Sequence, residues 1–366
     1  MKIAQIAPLY EAVPPRLYGG TERVVAYLCD ALVDLGHDVT LFASADARTR
    51  ARLIPARDQA IRLDDAPYKS DLAAHLAMLH EVRRTARQFD VLHFHLDLLH
   101  FPMFEHEAHR TVTTLHGRLD LKDLPQAFAC WPQFGVVSIS RSQQAPLPQA
   151  KWLGTVHHGL PETLLVPAPA RAGERDYLAF LGRVSPEKRP DVAIRVAQRA
   201  GLPLKIAAKV DSADVAYYET MVKPLLRDPL VEFIGEIGDD RKAEFLAQAR
   251  ALLMPIDWPE PFGLSMIEAM ACGAPVIVWK CGSAPEIIED GVTGCLVESE
   301  EQALAAIERV RTFDRVRIRR EFERRFTSRR MALDYLRIYE ELSETAELTM
   351  LSRPLAMGER PAARPN

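Results

Sequence analysis

Cysteine is scarce: five residues (Cys29, Cys130, Cys272, Cys281 and Cys295), odd in number and never in a close pair. That excludes a disulfide framework and a C-x-x-C metal or redox site, and it fits a reducing compartment. Long apolar runs are missing too. No stretch reaches the roughly 18 apolar residues of a membrane span, and the opening MKIAQIAPLY is broken by Pro8 before it could serve as a signal-peptide core. A cytoplasmic protein is expected. No single sign of charge dominates: the net charge is -4 over 366 residues, and acidic and basic side chains nearly balance through Ala170. No nucleic-acid partner is expected. Histidine, finally, is missing from the second half, all eleven lying between His37 and His158. His93, His95, His100, His106, His109 and His116 crowd one region, but their spacing is irregular and no H-E-x-x-H occurs. Acceptor-pocket or structural roles fit them better than a metal site.

What the chain does have is the balance of a folded protein, 48% hydrophobic and 26% charged, with length for two ordinary domains. Short β-type runs alternate with helical patterns through the first 150 residues: strands at 2–7, 38–43, 90–95, 111–115 and 135–140, helices at 21–35 and 71–88. Such alternation implies parallel strands with helical crossovers. PETLLVPAPARAG, residues 161–173, carries three prolines among small residues and reads as a linker and candidate hinge. The alternation then restarts, with strands at 177–181, 204–208, 231–234, 251–255 and 275–279 and helices at 189–200, 240–249 and 264–271. From 303 to about 342 the pattern is helical and rich in Arg and Glu, and the tail from 345 is expected to be disordered. The fold class is α/β, with two Rossmann-like domains facing across a cleft: 1–165 and 174–326.

Three segments carry chemistry. In Glu260-Pro-Phe-Gly-Leu-Ser-Met-Ile-Glu268 a Pro-rich turn runs into a helix, leaving backbone amides at Gly263, Leu264 and Ser265 to bind an anion at the positive helix end. Carboxylates eight positions apart, about 12 Å along a helix, suit a sugar on one side and a ribose on the other. In Phe180-Leu-Gly-Arg183-Val-Ser-Pro-Glu-Lys188 a strand ends beside a guanidinium fork and a longer-reaching ammonium, a pair able to neutralise a diphosphate. In Tyr18-Gly19-Gly20-Thr21-Glu22 paired glycines before a helix allow close backbone approach. His116, after the run TVTTL, falls at the carboxyl edge of a sheet, where ligands bind. Taken singly, each segment serves equally well as a solvated turn, an exposed helix face or a plain helix cap.

Together, G-R-x-x-P-E-K, E-P-F-G-L-x-x-I-E-A-M-A-C-G-A-P-V-I, Gly282-Ser-Ala-Pro-Glu286 and Gly291-Val-Thr-Gly-Cys-Leu-Val resemble the family 4 retaining glycosyltransferases with the GT-B fold. The resemblance extends from Gly19-Gly20 to the last helix. It implies that Glu268 binds the nucleotide ribose and that Glu260 meets the donor sugar's hydroxyls. The amides of Phe262, Gly263 and Leu264 would contact sugar and phosphate, with Pro261 beside them in the donor site. Arg183 and Lys188 would hold the diphosphate, Gly19 and Gly20 face it, and His116 stand near the sugar's primary hydroxyl. His116, Arg183, Lys188 and Glu260 would carry the catalysis. The family's last helix, here 327–342, is expected to pack back on the first domain.

A nucleoside-diphosphate sugar is therefore the expected partner, UDP-glucose the leading choice, with same-face attack assisted by the leaving phosphate. No D-x-D triplet occurs, and neither cofactor nor essential metal is expected. Two segments depart from the family pattern, Ile256-Asp257-Trp258-Pro259 and His157-His158-Gly159; both bear on which sugar or acceptor fits. The acceptor stays open among a small molecule, a glycan and a lipid. The arginines at 48, 50, 52 and 57, and at 83, 84 and 87, are read as solvated helix faces, so membrane contact is not favoured. A synthase of the sucrose-phosphate type and a nucleotide-sugar-binding protein without turnover are the alternatives. A phosphorylase of the glycogen type would need a cofactor lysine and a far longer chain.

Overall fold

A computed structural model describes residues 1–16, 19–167 and 176–351. The first sheet has seven parallel strands, β1 (Lys2–Ile6), β2 (Asp38–Ser44), β3 (Arg52–Arg57), β4 (Val91–Phe94), β5 (Thr111–Thr114), β6 (Gly135–Ser138) and β7 (Lys151–Thr155), in the order β3-β2-β1-β4-β5-β6-β7. The second has six, β8 (Leu178–Arg183), β9 (Leu204–Lys209), β10 (Val231–Gly235), β11 (Ala251–Met254), β12 (Val276–Trp279) and β13 (Gly294–Val297), in the order β10-β9-β8-β11-β12-β13. The helices are α1 (Gly20–Asp34), α2 (Asp71–Thr85), α3 (Leu124–Cys130), α4 (Pro190–Ala200), α5 (Val215–Tyr217), α6 (Asp239–Ala247), α7 (Leu264–Ala271), α8 (Ala284–Ile287), α9 (Glu300–Arg309), α10 (Arg315–Arg325) and α11 (Ser328–Leu351). This is the GT-B arrangement. Central strands such as β11 and β12 read as unbroken apolar runs, because helices cover both faces of a parallel sheet.

The strand order reverses between β1 and β4 in the first sheet and between β8 and β11 in the second. Such reversals open a crevice at the carboxyl ends of the strands, because the flanking crossovers go to opposite faces. The segments after β1, β4 and β5 on one side, and after β8 and β11 on the other, are therefore placed to form one site.

Two of the expectations above need correction. Arg52 and Arg57 lie on edge strand β3, not on a helix, while Arg83 and Arg84 end α2 as read. The stretch 303–342 is helical as expected, divided into three α-helices, with Asp314 accepting from the amides of Val316 and Arg317 to start α10 afresh. The tail expected from 345 is helical through Leu351; residues 352–366 lie outside the described set, as do Tyr18 and the linker beyond Pro167. Among the described residues, no helix is long and apolar enough to cross a membrane.

Helix α11 leaves the second domain and packs along α1 of the first. Tyr335 and Tyr339, four apart and so on one helix face, are fully buried there. The chain reaches this position by a tight crossing: the Leu160 amide donates to the Phe326 carbonyl (2.9 Å), and the Ser328 amide donates to the Leu160 carbonyl (2.8 Å). A Cβ on Gly159 would collide with the Thr327 carbonyl, which is backbone and has little room to move. Overpacking against backbone costs about 1–3 kcal/mol. Gly159→Ala should therefore lower the urea midpoint by an amount corresponding to that loss, whereas Gly182→Ala, which meets nothing within 4 Å, should move it little.

Candidate functional site

Residues from both sheets line one cleft, which holds about 1210 Å³ of space including its open mouth. The part comparable with known ligand cavities is about 280 Å³, near the lower end of the roughly 300–1,000 Å³ of small-molecule pockets. Gly19, Gly20, Thr21, Arg23, His116 and His158 come from the first domain; Arg183, Lys188, Lys209, Lys242, Trp258, Glu260 to Ser265 and Glu268 from the second. Every residue that the sequence singled out for catalysis or donor binding lies on this one wall or the other.

The turn Asp257–Gly263 follows β11 and is pinned from two sides. The Asp257 amide donates to the Glu187 carbonyl at 2.9 Å, knitting it to the Arg183–Lys188 loop, and the Ser283 amide donates to the Glu260 carbonyl at 2.9 Å. Ser283 Oγ also donates to the Phe262 carbonyl at 2.7 Å. Gly282, at φ 56°, passes so near Glu260 that a Cβ there would strike its backbone. Gly263, at φ 81°, then turns the chain into α7, which no side chain caps. Its first amides and the helix dipole point at the cleft end. Only Leu264 to Glu268 is helical, about 6 Å of rise at about 1.5 Å per residue, so the two glutamates are joined by a turn plus one helical turn. The 12 Å helical span was an overestimate.

Both glutamates are buried and already paired. Glu260 forms an ion pair with Lys188 and accepts from Trp258 Nε1 at 2.9 Å. Lys188 lies 5.3 Å over the Trp258 ring. Glu268 accepts from Lys242 Nζ at 2.7 Å, and Lys242 also pairs with Asp239 at 3.3 Å. Asp239 in turn pairs with Arg23 of α1, so this chain of charges crosses the cleft. Arg183 sits 3.6 Å from Asp211 and 3.8 Å from Asp214. Sequence reading missed Lys242, Arg23 and Lys209, because no local motif marks them; topology alone carries them to the cleft. Glu286, part of a quoted motif, is not among the cleft residues. It accepts from the amides of Arg141 (2.8 Å) and Ser142 (2.7 Å), stapling the domains together. Thr21 caps nothing; α1 starts on Gly20 with Gly19 at its cap position.

His93, His95, His116 and His158 form one largely buried group, whereas His106 and His109 are exposed; no set of three or more His, Cys, Asp or Glu able to hold a metal occurs among the described residues. His95 Nδ1 lies 2.8 Å from His116 Nε2, and the His116 and His158 rings stack at 5.3 Å. Burial pushes His116 down to about 3 and His93, His95 and His158 well below the usual imidazole value. These rings are neutral at physiological pH.

Glu22 shows the opposite shift. Burial lifts its carboxyl to about 7, with the Glu11 amide donating to it at 3.3 Å and the Glu11 carboxylate nearby. A folded pKa above the unfolded value means that folding takes up a proton between the two. Stability is then full below about 4.5 and falls as pH rises towards about 7. Glu22→Gln cannot ionise, so relative to wild type it should gain about 3 kcal/mol between pH 4 and pH 8. Parallel unfolding curves for the two proteins at those pH values would disprove the shift.

Comparison with known proteins fits this geometry. A family model described as glycosyl transferases group 1 matches residues 164–324, and one described as glycosyltransferase family 4 matches residues 18–152. The chain is 30% identical over 169 residues to the D-inositol 3-phosphate glycosyltransferase of Mycolicibacterium paratuberculosis, 41% of this chain and 36% of that protein. The protein of the same name from Streptomyces avermitilis gives 30% over 175 residues, 42% and 38%. The matched stretch thus spans less than two-fifths of these relatives. Among solved structures, sucrose-phosphate synthase from Thermosynechococcus elongatus has a TM-score of 0.75 at 20% identity, over 94% of this chain and 99% of that one. Anabaena HepE in complex with UDP and glucose has 0.68 at 19%, over 95% and 99%. At such identities the shared feature is the fold.

Proposed function

The chain belongs to the family 4 glycosyltransferases, and we propose that it is a retaining hexosyltransferase drawing on a nucleoside-diphosphate sugar, UDP-glucose first among the candidates. The observation that carries this reading is the pairing of two buried carboxylates, Glu260 and Glu268, with cations on both sides of an open helix N-terminus. The neighbouring fold holding UDP and glucose supports the choice of donor.

In this reading the ribose hydroxyls donate to Glu268 and the sugar hydroxyls to Glu260. The diphosphate lies at the start of α7, met by the amides there and by Arg183 and Lys188. Charge builds on the diphosphate as the bond from the anomeric carbon to its oxygen breaks. Fixed positive groups stabilise that charge more than they stabilise the ground state. The acceptor oxygen bonds to the anomeric carbon on the same face, and its proton passes to the departing phosphate oxygen. The side-chain cations supply the charge that a metal would otherwise provide, so we propose a metal-independent reaction. Unpaired cysteines support a cytoplasmic location, and the acceptor we favour is a soluble one.

Calorimetric titration with UDP, GDP and ADP in the presence of a chelator tests the donor side. One nucleotide should bind clearly, and Glu268→Ala should weaken it roughly tenfold or more, the loss of charge-assisted hydrogen bonds. Lys188→Ala should lower turnover by about 10²–10³, with a smaller change in nucleotide affinity. Wild-type behaviour in both variants would remove these residues from the site, and a chelator-sensitive wild type would sink the metal-free reading. Donor hydrolysis or transfer by the wild type separates the enzyme from a binding protein without turnover.

A further inference from the structure

The buried histidines hold a definite proton arrangement. His116 lines the cleft, its Nε2 is committed to His95, and its Nδ1 is buried with no partner. Any hydrogen bond from the His116 ring to a ligand must therefore use Nδ1. Whether that nitrogen donates or accepts is set two residues away. His95 Nε2 lies 2.8 Å from Gln5 Oε1, and Gln5 Nε2 lies 3.2 Å from the Tyr339 hydroxyl.

The Gln5 amide could in principle face either way, and the distances choose. At 3.2 Å the contact with Tyr339 suits an N–H donor, whereas hydroxyl-to-oxygen bonds run about 2.5–3.0 Å. Gln5 Nε2 thus donates to Tyr339, and Gln5 Oε1 accepts from His95 Nε2–H. The Tyr339 hydroxyl is free to donate to His93 Nδ1 at 2.6 Å, and His93 Nε2–H then donates to Thr114 Oγ1 at 2.7 Å. A neutral imidazole carries one N–H. His95, having its proton on Nε2, accepts at Nδ1; His116 must then donate from Nε2 and leave Nδ1 as a bare lone pair. The opposite arrangement would bury an unpaired N–H donor at His116, and orphaned donors are rarer in folded proteins than orphaned acceptors. His100 and His158 also leave Nδ1 unpaired; His100 stacks on Phe94 and does not line the cleft, whereas His158 lines it, stacked on His116.

We propose that Gln5 and His95, anchored by Tyr339 of α11, are positioning residues that fix His116 as a hydrogen-bond acceptor towards the donor sugar. The site accordingly selects a neutral sugar whose hydroxyl donates to Nδ1. It rejects the hexuronate, whose carboxylate brings only acceptors and a charge, and disfavours a sugar lacking that hydroxyl. The selection rests on the donor-site reading above; the proton arrangement does not.

Long-range proton–nitrogen spectra of the full chain labelled with ¹⁵N-histidine read each ring's tautomer without any ligand. His95 and His116 should both be neutral, protonated at Nε2 and bare at Nδ1. A proton on Nδ1 of either, or an imidazolium at neutral pH, overturns the arrangement, whatever nucleotide binds. Titration with UDP, UDP-glucose and UDP-glucuronate then reads the selection. Wild type should prefer UDP-glucose over UDP-glucuronate by roughly tenfold to a hundredfold. Gln5→Leu should keep its UDP affinity and shrink that preference. An unchanged preference in Gln5→Leu overturns the positioning role. Failure of UDP itself to bind removes the donor reading and the selection with it, while the spectra still decide the proton arrangement.

Discussion

Where residues 159–160 pass residues 326–328, the two backbones lie so close that position 159 admits no Cβ, and the amide and carbonyl of Leu160 pair with Phe326 and Ser328. This crossing sends α11 back over the first domain. Arg330, one turn into α11, donates to the carbonyls of His157 and His158, and His158 stacks on His116 and sits edge-on to Phe262 at 4.8 Å. The crossing between the domains thereby sets the ring next to the cleft. The apolar core reflects the same continuity: one cluster runs from Val24 and Tyr27 through Leu160 and Phe262 to Phe326 and Tyr335, while two others stay within single domains.

Charge is arranged on the same principle of fixed partners. Lys188 and Lys242 each hold a buried carboxylate, and Arg183 holds two aspartates. In the proposed donor reading a diphosphate entering the cleft would compete with Glu260 for Lys188, so its gain would be the difference between two strong interactions. Carboxylates released from lysines would then become acceptors for the sugar and ribose hydroxyls of that reading. Exchange of partners, rather than creation of new charge pairs, keeps the desolvation penalty of a buried ion from falling on the ligand alone. Arg23 and Asp239 extend this network from α7 and α6 to α1, so the two domains share the electrostatics of one site.

The sequence made the donor wall legible because its chemistry is local. Glu260, Gly263 and Glu268 lie within one turn and one helix, and the helix 264–271 was read to the residue. Strand β3, RLIPAR, escaped because an edge strand is only half covered and its Arg and Pro residues break any apolar alternation. Strand β13, GCLV, offers only three apolar side chains after its glycine, fewer than the run of about four to eight that marks a buried strand. Lys242 and Arg23 carry no motif; their roles come from α6 and α1 being brought to the same cleft end. Six crowded histidines drew attention, yet only the bond made by each ring nitrogen tells a proton chain from a metal site.

That histidine chain was half-visible as a broken rule. Strand β4 with its next residue reads VLHFH, and a central parallel strand should be nearly all apolar. Positions two apart share a face, so His93 and His95 point the same way, and Gln5 is the register partner of His93 on β1. That face is the one α11 covers. Tyr335 meets Thr114 of β5 and Tyr339 meets Gln5 of β1, so the helix lies across three neighbouring strands. Buried polar groups survive only when satisfied. Here each tyrosine hydroxyl answers a need in the strands beneath it, and the sequence of donations begins at His116, whose other ring nitrogen no protein group meets. Departures from local rules collect at functional sites. The direction of this one, each donor pointing from the cleft into the sheet, makes its open end an acceptor.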